Sequence, residues 1–299
     1  MWSGIRRQTQ RHVSHCRQCQ LCKGNPKNYG HLPAKEAEPS VPWDRVNVDL
    51  TGPFSVKTPK GVRKILLLTA IDPATGWFEM KEINDATSDT VSATMDDMWF
   101  CRYPRPRKIG LDGGSEFKKL FKEMIANYGL ETAQSTPYNP QSNGIIERVH
   151  QVLADALRTF ELEERDLDES DPWTPFLSAT AFAIRSTYHT TLGATPAQLV
   201  FQRDMLLPLK FQADWMAIQQ RRQKEINRNN ANENKRRIPH EYKVGDLVTK
   251  RRPGILPKLR RKREDPSEVI AVFDNGTVRI RRGAVTERLN IRRIQPFQA

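Results

Sequence analysis

Apolar residues change their spacing twice along this chain, and the changes mark parts that cannot share one fold class. From Pro42 the period is two: Val46, Val48 and Leu50 alternate with Asn47 and Asp49, the pattern of a half-buried strand. Arg63–Ile71 reads as a second strand with a buried centre, Asp72–Gly76 as a turn, and Trp77–Ile83 as a third strand. A helix then follows from about Ser88, with Val91, Met95, Met98 and Trp99 at helical spacing, and Arg107–Leu111 is a short strand ending on Asp112. The next helix carries Phe117, Leu120, Phe121, Met124 and Ile125 on one stripe, and Glu131–Ser135 is a strand. A loop rich in Pro, Asn, Gln and Ser spans Thr136–Gly144. A long helix continues to about Phe160, with Ile146, Val149, Leu153, Leu157 and Phe160 facing inward. Helices at Thr174–Tyr188 and Thr195–Phe201 complete an α/β pattern. Asp214–Arg237 has helix formers but almost no apolar residue after Ile226, as an exposed linker helix would. From Tyr242 the pattern is all-β: Asp246–Lys250, Glu268–Phe273 and Thr277–Arg282, with a hairpin turn at Asp274-Asn-Gly276.

Charge follows the same division. Residues 219–299 hold 22 Lys/Arg against 9 Asp/Glu, which accounts for the whole net charge of +13 and leaves residues 1–218 neutral. A basic block of this kind is the footprint of a polyanion binder, because cations near phosphates release condensed counterions. Apolar runs such as Ile65–Leu68 are far too short for a membrane span, and the start lacks the layout of a secretion signal. Three of the four cysteines crowd at Cys16, Cys19 and Cys22, a spacing that suggests metal rather than disulfides.

Three carboxylates stand in informative places: Asp49 mid-strand on the face opposite Val48 and Leu50, Asp112 just past a later strand, and Glu147 in the first turns of the long helix. Hard divalent cations take oxygen ligands, and two such ions can activate an attacking oxygen and stabilise a leaving one in phosphoryl transfer. Alone, this trio is weak, since 35 acidic residues offer many trios.

The words around the acids say more. Trp43–Phe54, containing Val46-Asn-Val-Asp49, resembles the opening strand of the retroviral and gypsy-type LTR-retrotransposon integrase family. Leu111-Asp112-Gly-Gly-Ser-Glu-Phe117 is similar to that family's Ser-Asp-x-Gly-x-x-Phe motif. Ser135-Thr-Pro-Tyr-Asn-Pro-Gln-Ser-Asn-Gly144, continuing to Glu147-Arg148, matches the segment with the third acid almost word for word. Two details depart: the interval from Asp112 to Glu147 is one residue shorter than usual, and Leu111 replaces a small polar residue.

The resemblance implies an α/β fold: an RNase H-like core with a mixed five-stranded sheet flanked by helices. Asp49, Asp112 and Glu147 would be catalytic and hold two Mg²⁺ (or Mn²⁺) ions. The loop holding Tyr138, Gln141 and Asn143 would shape a DNA-end pocket, while Gln151 and Arg158, on the same side of the helix as Glu147, would contact DNA. Partners would be element and target DNA and further copies of the chain, in the nucleus, reached within a cytoplasmic particle.

At the amino end, Cys16-Arg-Gln-Cys19 resembles the cysteine half of the family's His-His-Cys-Cys zinc domain. Structural zinc takes four ligands. Here Zn²⁺ would have an incomplete set, as expected of a truncated gene model, a polyprotein piece or a decayed copy. At the carboxyl end, Tyr242–Val248 and Arg293–Phe297 are similar to the limits of a small SH3-like β-barrel, whose basic loop, with Arg260, Arg261 and Arg263, would clamp phosphates. The implied layout is 1–37 partial zinc domain, a helical remnant with its linker, 38–212 core, 213–240 linker helix and 241–299 basic barrel. Competing expectations are an integrase-derived DNA-binding protein without catalysis and an RNase H-type nuclease.

Overall fold

Arg-, Gln- and His-rich residues open the chain as two helices, α1 (Ile5–His15) and α2 (Arg17–Cys22), broken at Cys16, whose ψ of 114° is extended. Their composition leaves little to bury, and Leu21 is the only buried side chain of the pair. The computed structural model describes residues 3–23, 26–37, 41–58, 61–111, 114–134, 140–162, 173–252, 257 and 260–298. Contacts divide the chain into residues 38–222 and a second unit formed by residues 1–37 with 223–299.

In the larger unit, β1 (Arg45–Thr58) pairs antiparallel with β2 (Gly61–Ile71), which pairs antiparallel with β3 (Phe78–Ile83). The strand β1 runs well past the alternation at Val46–Leu50, bending at a register shift between Thr51 and Phe54. Pro53, which has no N–H to donate, is accommodated at that irregularity. Gly52 there has φ +109, and a Cβ on it would come within 2.6 Å of the Ile65 carbonyl oxygen.

A helix, α3 (Ser88–Met95), is capped by the Thr87 side chain, which accepts from Thr90 N–H. It widens into a π turn at Asp96–Phe100, which buries Met98, Trp99 and Phe100 together. Then come β4 (Lys108–Leu111), α4 (Leu120–Asn127), β5 (Glu131–Gln134) and α5 (Pro140–Leu162). Strands β1, β4 and β5 pair in parallel, giving a mixed five-stranded sheet of order β3-β2-β1-β4-β5. The helix α5 begins at Pro140, inside the expected loop, because proline at a first helical position loses no hydrogen bond and already has helical φ.

Neighbouring residues of β2 serve opposite layers. Leu68 packs with Val46, Val48, Met95, Trp99 and Phe121, while Leu67 packs with Val56, Leu153, Leu157 and Trp173. The sheet is therefore covered on both faces, with α5 and α6 (Trp173–Ser186) on the second. A short helix, α7 (Pro196–Phe201), starts with a capping box in which Thr195 accepts from Gln198 N–H and the Gln198 side chain accepts from Thr195 N–H. Thr195→Ala is expected to cost about 1 kcal/mol, measured as a lower urea midpoint with an unchanged slope.

The unit boundary falls within α8 (Trp215–Lys235). Its final turns are polar for a reason that their sequence does not disclose. Asn234 Nδ2 donates to the Leu32 carbonyl and its Oδ1 accepts from Leu32 N–H, while Asn230 donates to the Pro33 carbonyl. These asparagines satisfy the backbone of an extended strap with little strand pairing of its own. Arg237, with a side chain only 1% exposed, donates to the carbonyls of Tyr29, Gly30 and Ile291 and pairs with Glu233 at 3.2 Å.

Five antiparallel strands complete this unit: β6 (Leu247–Lys250), β7 (Ser267–Phe273), β8 (Thr277–Arg282), β9 (Val285–Asn290) and β10 (Ile294–Pro296), in the order β10-β6-β7-β8-β9. Leu32 of the strap joins Tyr242, Val248, Val269, Val278, Ile280 and Leu289 in its core. Gly276 closes the β7–β8 turn at φ +72, where a Cβ would lie 2.8 Å from Pro33.

Candidate active site

The alternation that sends Val48 into one layer turns Asp49 toward α5. Its carboxylate keeps 21% exposure; Oδ1 accepts from Leu50 N–H at 2.8 Å, and Oδ2 lies 3.8 Å from Nδ1 of His150 on α5. Thr69, directly opposite Asp49 on β2, donates its hydroxyl to the Asp49 carbonyl at 2.9 Å and meets His150 Nε2 at 2.8 Å. A hydroxyl has one proton, so with that proton on the Asp49 carbonyl, His150 must donate from Nε2. The Nδ1 of the neutral ring then presents a lone pair toward the carboxylate. Burial pushes His150 down to about 4, so the ring is neutral at pH 7 and the contact with Asp49 is not an ion pair there. Sequence reasoning passed over both residues; the signal for His150 was its place one helical turn after Glu147.

Glu147 is exposed on α5. Asp112 lies outside the described residues. The strand leading to it, β4, is the direct parallel neighbour of β1, with Gly110 opposite Asn47. A Cβ on Gly110 would sit 2.2 Å from Asn47 Oδ1, so a larger residue there would push the Asn47 side chain aside. Leu111 is buried among the core residues that hold Val46 and Val48, a packing reason for its departure from a small polar type. Among the described residues no three His, Cys, Asp or Glu side chains gather as a metal cluster.

The remaining expected contacts separate. Tyr138 lies outside the described residues, and so do the side chains of Gln141 and Asn143, whose backbones belong to the start of α5. Gln151 and Arg158 are exposed, and Arg158 pairs with Asp155 at 2.7 Å. Arg260 is exposed, and Arg261 is exposed and 3.7 Å from Asp265. Arg263 corrects the reading of the basic loop. It is buried, donates Nη1 to the Thr249 carbonyl at 3.0 Å, and is brought down to about 10 by burial. A guanidinium spent on a carbonyl within the fold is not a surface phosphate contact.

Cys16 and Cys19 meet at the break between α1 and α2. The Cys16 thiol is lowered, first by the Cys19 backbone N–H and then by the Cys19 thiol, whereas that same hydrogen bond raises Cys19. The His15 ring next to them faces the Arg11 carbonyl, with Nδ1 at 2.9 Å.

Residues 40–140 match the integrase core domain family. The chain is 26% identical over 204 residues to an uncharacterised protein of Caenorhabditis elegans, covering 68% of this chain and 15% of that protein. It is 26% identical over 218 residues to the Pro-Pol polyprotein of feline foamy virus, covering 72% and 18%. It is 25% identical over 203 residues to the transposon Tf2-3 polyprotein of Schizosaccharomyces pombe, covering 67% and 14%. The chain thus spans less than a fifth of the length of these relatives. Its fold is similar to a chain in the cryo-EM structure of the simian T-cell lymphotropic virus intasome in complex with PP2A regulatory subunit B56 gamma, with TM-score 0.63 and 15% identity over 99% of this chain and 92% of that one. The resemblance to retrotransposon and retroviral integrases therefore holds for the core domain and its mixed sheet. No helix among the described residues is long and apolar enough to cross a membrane.

Proposed function

We propose that this chain is the integrase segment of an LTR retroelement, which trims element DNA ends and joins them to target DNA. The observation that carries the reading is local. Asp49 stands on the middle strand of a mixed sheet, beside the strand that leads to Asp112, and faces the helix that bears Glu147. Carboxylate oxygens suit a hard cation, and Asp49, Asp112 and Glu147 would hold two Mg²⁺ or Mn²⁺ ions that neutralise charge on the attacking and leaving oxygens. Thr69 holds the Asp49 backbone through its carbonyl, and the His150 ring lies beside the carboxylate. The exposed face of α5, with Gln151 and Arg158, is free to lie along DNA. No protein nucleophile is required: water attacks during end trimming and a DNA 3′-hydroxyl during joining. The five-stranded unit is read as an SH3-like barrel that grips nucleic acid, and the working form as a multimer acting in the nucleus. Cys16 and Cys19 supply two thiolates toward Zn²⁺, half of a structural site.

The test incubates the full chain with Mg²⁺ or Mn²⁺, a preprocessed duplex end and plasmid DNA, and in parallel with a branched substrate whose joining can be reversed. Joined and resolved products are expected, with reversal the more efficient because it needs only the core. A DNA-binding descendant would bind both substrates and alter neither. An RNase H-type nuclease would cut RNA–DNA hybrid and form no joint. Thr69→Val, which removes the donor to the Asp49 carbonyl, is expected to lower joining by about tenfold with DNA affinity unchanged.

A further inference from the structure

One ring nitrogen of His150 has no hydrogen-bonding role within the fold, and its surroundings suit a metal ion. The residue follows Glu147 by three positions, so Glu147-Arg-Val-His150 puts a carboxylate and an imidazole on one side of α5. The same spacing lets a single helix offer both groups to one metal in helical bundles. Glu147 is exposed, whereas His150 turns inward to β1 and β2. There the ring is already oriented. Its Nε2 lies 2.8 Å from Thr69 Oγ1, whose proton goes to the Asp49 carbonyl at 2.9 Å, so Nε2 carries the ring proton. Nδ1 then points a lone pair at Asp49 Oδ2, 3.8 Å away. Two acceptors face each other across that gap with no proton between them, too far apart for a hydrogen bond. The gap does match two ligands of one cation. An oxygen and a nitrogen each about 2.1 Å from a shared ion lie about 3.0–4.2 Å apart, as their angle opens from a right angle to a straight line. Both side chains keep some solvent, 14% for His150 and 21% for Asp49, so an ion can reach them.

We infer that His150 Nδ1 is a ligand to a divalent cation held by Asp49, a nitrogen donor added to the three carboxylates of the proposed site. Metal-bound histidines are commonly tied down through their other nitrogen, which fixes the tautomer and the plane of the ring. Thr69 is the positioning residue here, since its one hydroxyl links the ring to the Asp49 backbone. A mixed nitrogen and oxygen set suits Mn²⁺ and other transition ions better than Mg²⁺, a hard ion that takes oxygen. His150 thereby sets which cation the chain prefers, a property that the carboxylates alone do not decide. This ligand rests on the DNA-joining reading for its companions Asp112 and Glu147, and on local geometry for Asp49.

The experiment loads the full chain with Mn²⁺ alone and records electron spin echo modulation. A bound imidazole imprints the nuclear frequencies of its nitrogen on the manganese signal, and the parent chain should show them. Growth on histidine labelled with the heavy nitrogen isotope should shift those frequencies with no substitution made. His150→Gln, with its circular dichroism spectrum intact, should still bind Mn²⁺ but lose the nitrogen modulation. Mg²⁺ should also displace manganese from this variant at several-fold lower concentration than from the parent. Manganese bound to the parent chain without nitrogen modulation overturns the ligand. So does modulation that survives His150→Gln, or a parent chain that binds no manganese. The joining assay tests the function separately. A chain that joins DNA without nitrogen modulation keeps the integrase reading and loses the ligand; one that shows the modulation and never joins DNA keeps the ligand and loses the reading.

Discussion

Asp49→Asn is expected to yield a folded protein whose joining and branch-reversal activities, on the proposed reading, fall by about a thousandfold, roughly 4 kcal/mol of transition-state stabilisation. Asparagine fills the same volume and can still accept from Leu50 N–H, so the sheet keeps its register. What disappears is the negative charge on the middle strand, which the reading requires to help hold the cations. DNA affinity should change little, because the basic excess resides in residues 219–299. Gel analysis of joined products at matched protein occupancy on DNA makes the comparison. Activity within tenfold of the parent chain would remove Asp49 from the chemistry.

Arg237→Met is expected to destabilise the smaller unit by about 3 kcal/mol, about 1 kcal/mol or more for each of three buried carbonyls left without their donor. Methionine can fill much of the space, but the carbonyls of Tyr29, Gly30 and Ile291 lose their donor in a place with almost no solvent. Glu233→Gln should also destabilise this unit, since it removes the carboxylate that pairs with both the buried Arg237 and Arg292. Hydrogen exchange reads the effect by region: protection should fall across β6–β10 and persist in β1–β5. Uniform loss of protection in both sheets, or none in either, would contradict the assignment of the strap to the smaller unit.

How much of this was legible depends on what each element buries. Strands β1 to β3 and helix α5 announce themselves because their apolar residues follow the period of the element and face a core. The strand β9 does not, since only Leu289 of its six residues is buried, and β10 has three residues ending in Pro296. The last turns of α8 and the residues just after it look like a solvated linker because their function is polar: Asn230, Asn234 and Arg237 replace a strand partner for residues 29–33. No spacing rule finds a contact between positions about two hundred residues apart. At the site, the acids were read from motif words, whereas Thr69 and His150 needed the register of β1 on β2 and the facing of α5. The arginine loop misled for an ordinary reason: sequence counts charges but does not say that Arg263 turns inward to Thr249.

The central claim is that Asp49, Asp112 and Glu147 hold one pair of cations. Anomalous scattering from crystals of the full chain soaked in Mn²⁺ addresses it directly. The account predicts two manganese peaks about 3.5–4 Å apart, both touching Asp49, with Asp112 completing one coordination sphere and Glu147 the other. Manganese bound elsewhere, or bound at Asp49 without either of the other two carboxylates, would contradict it.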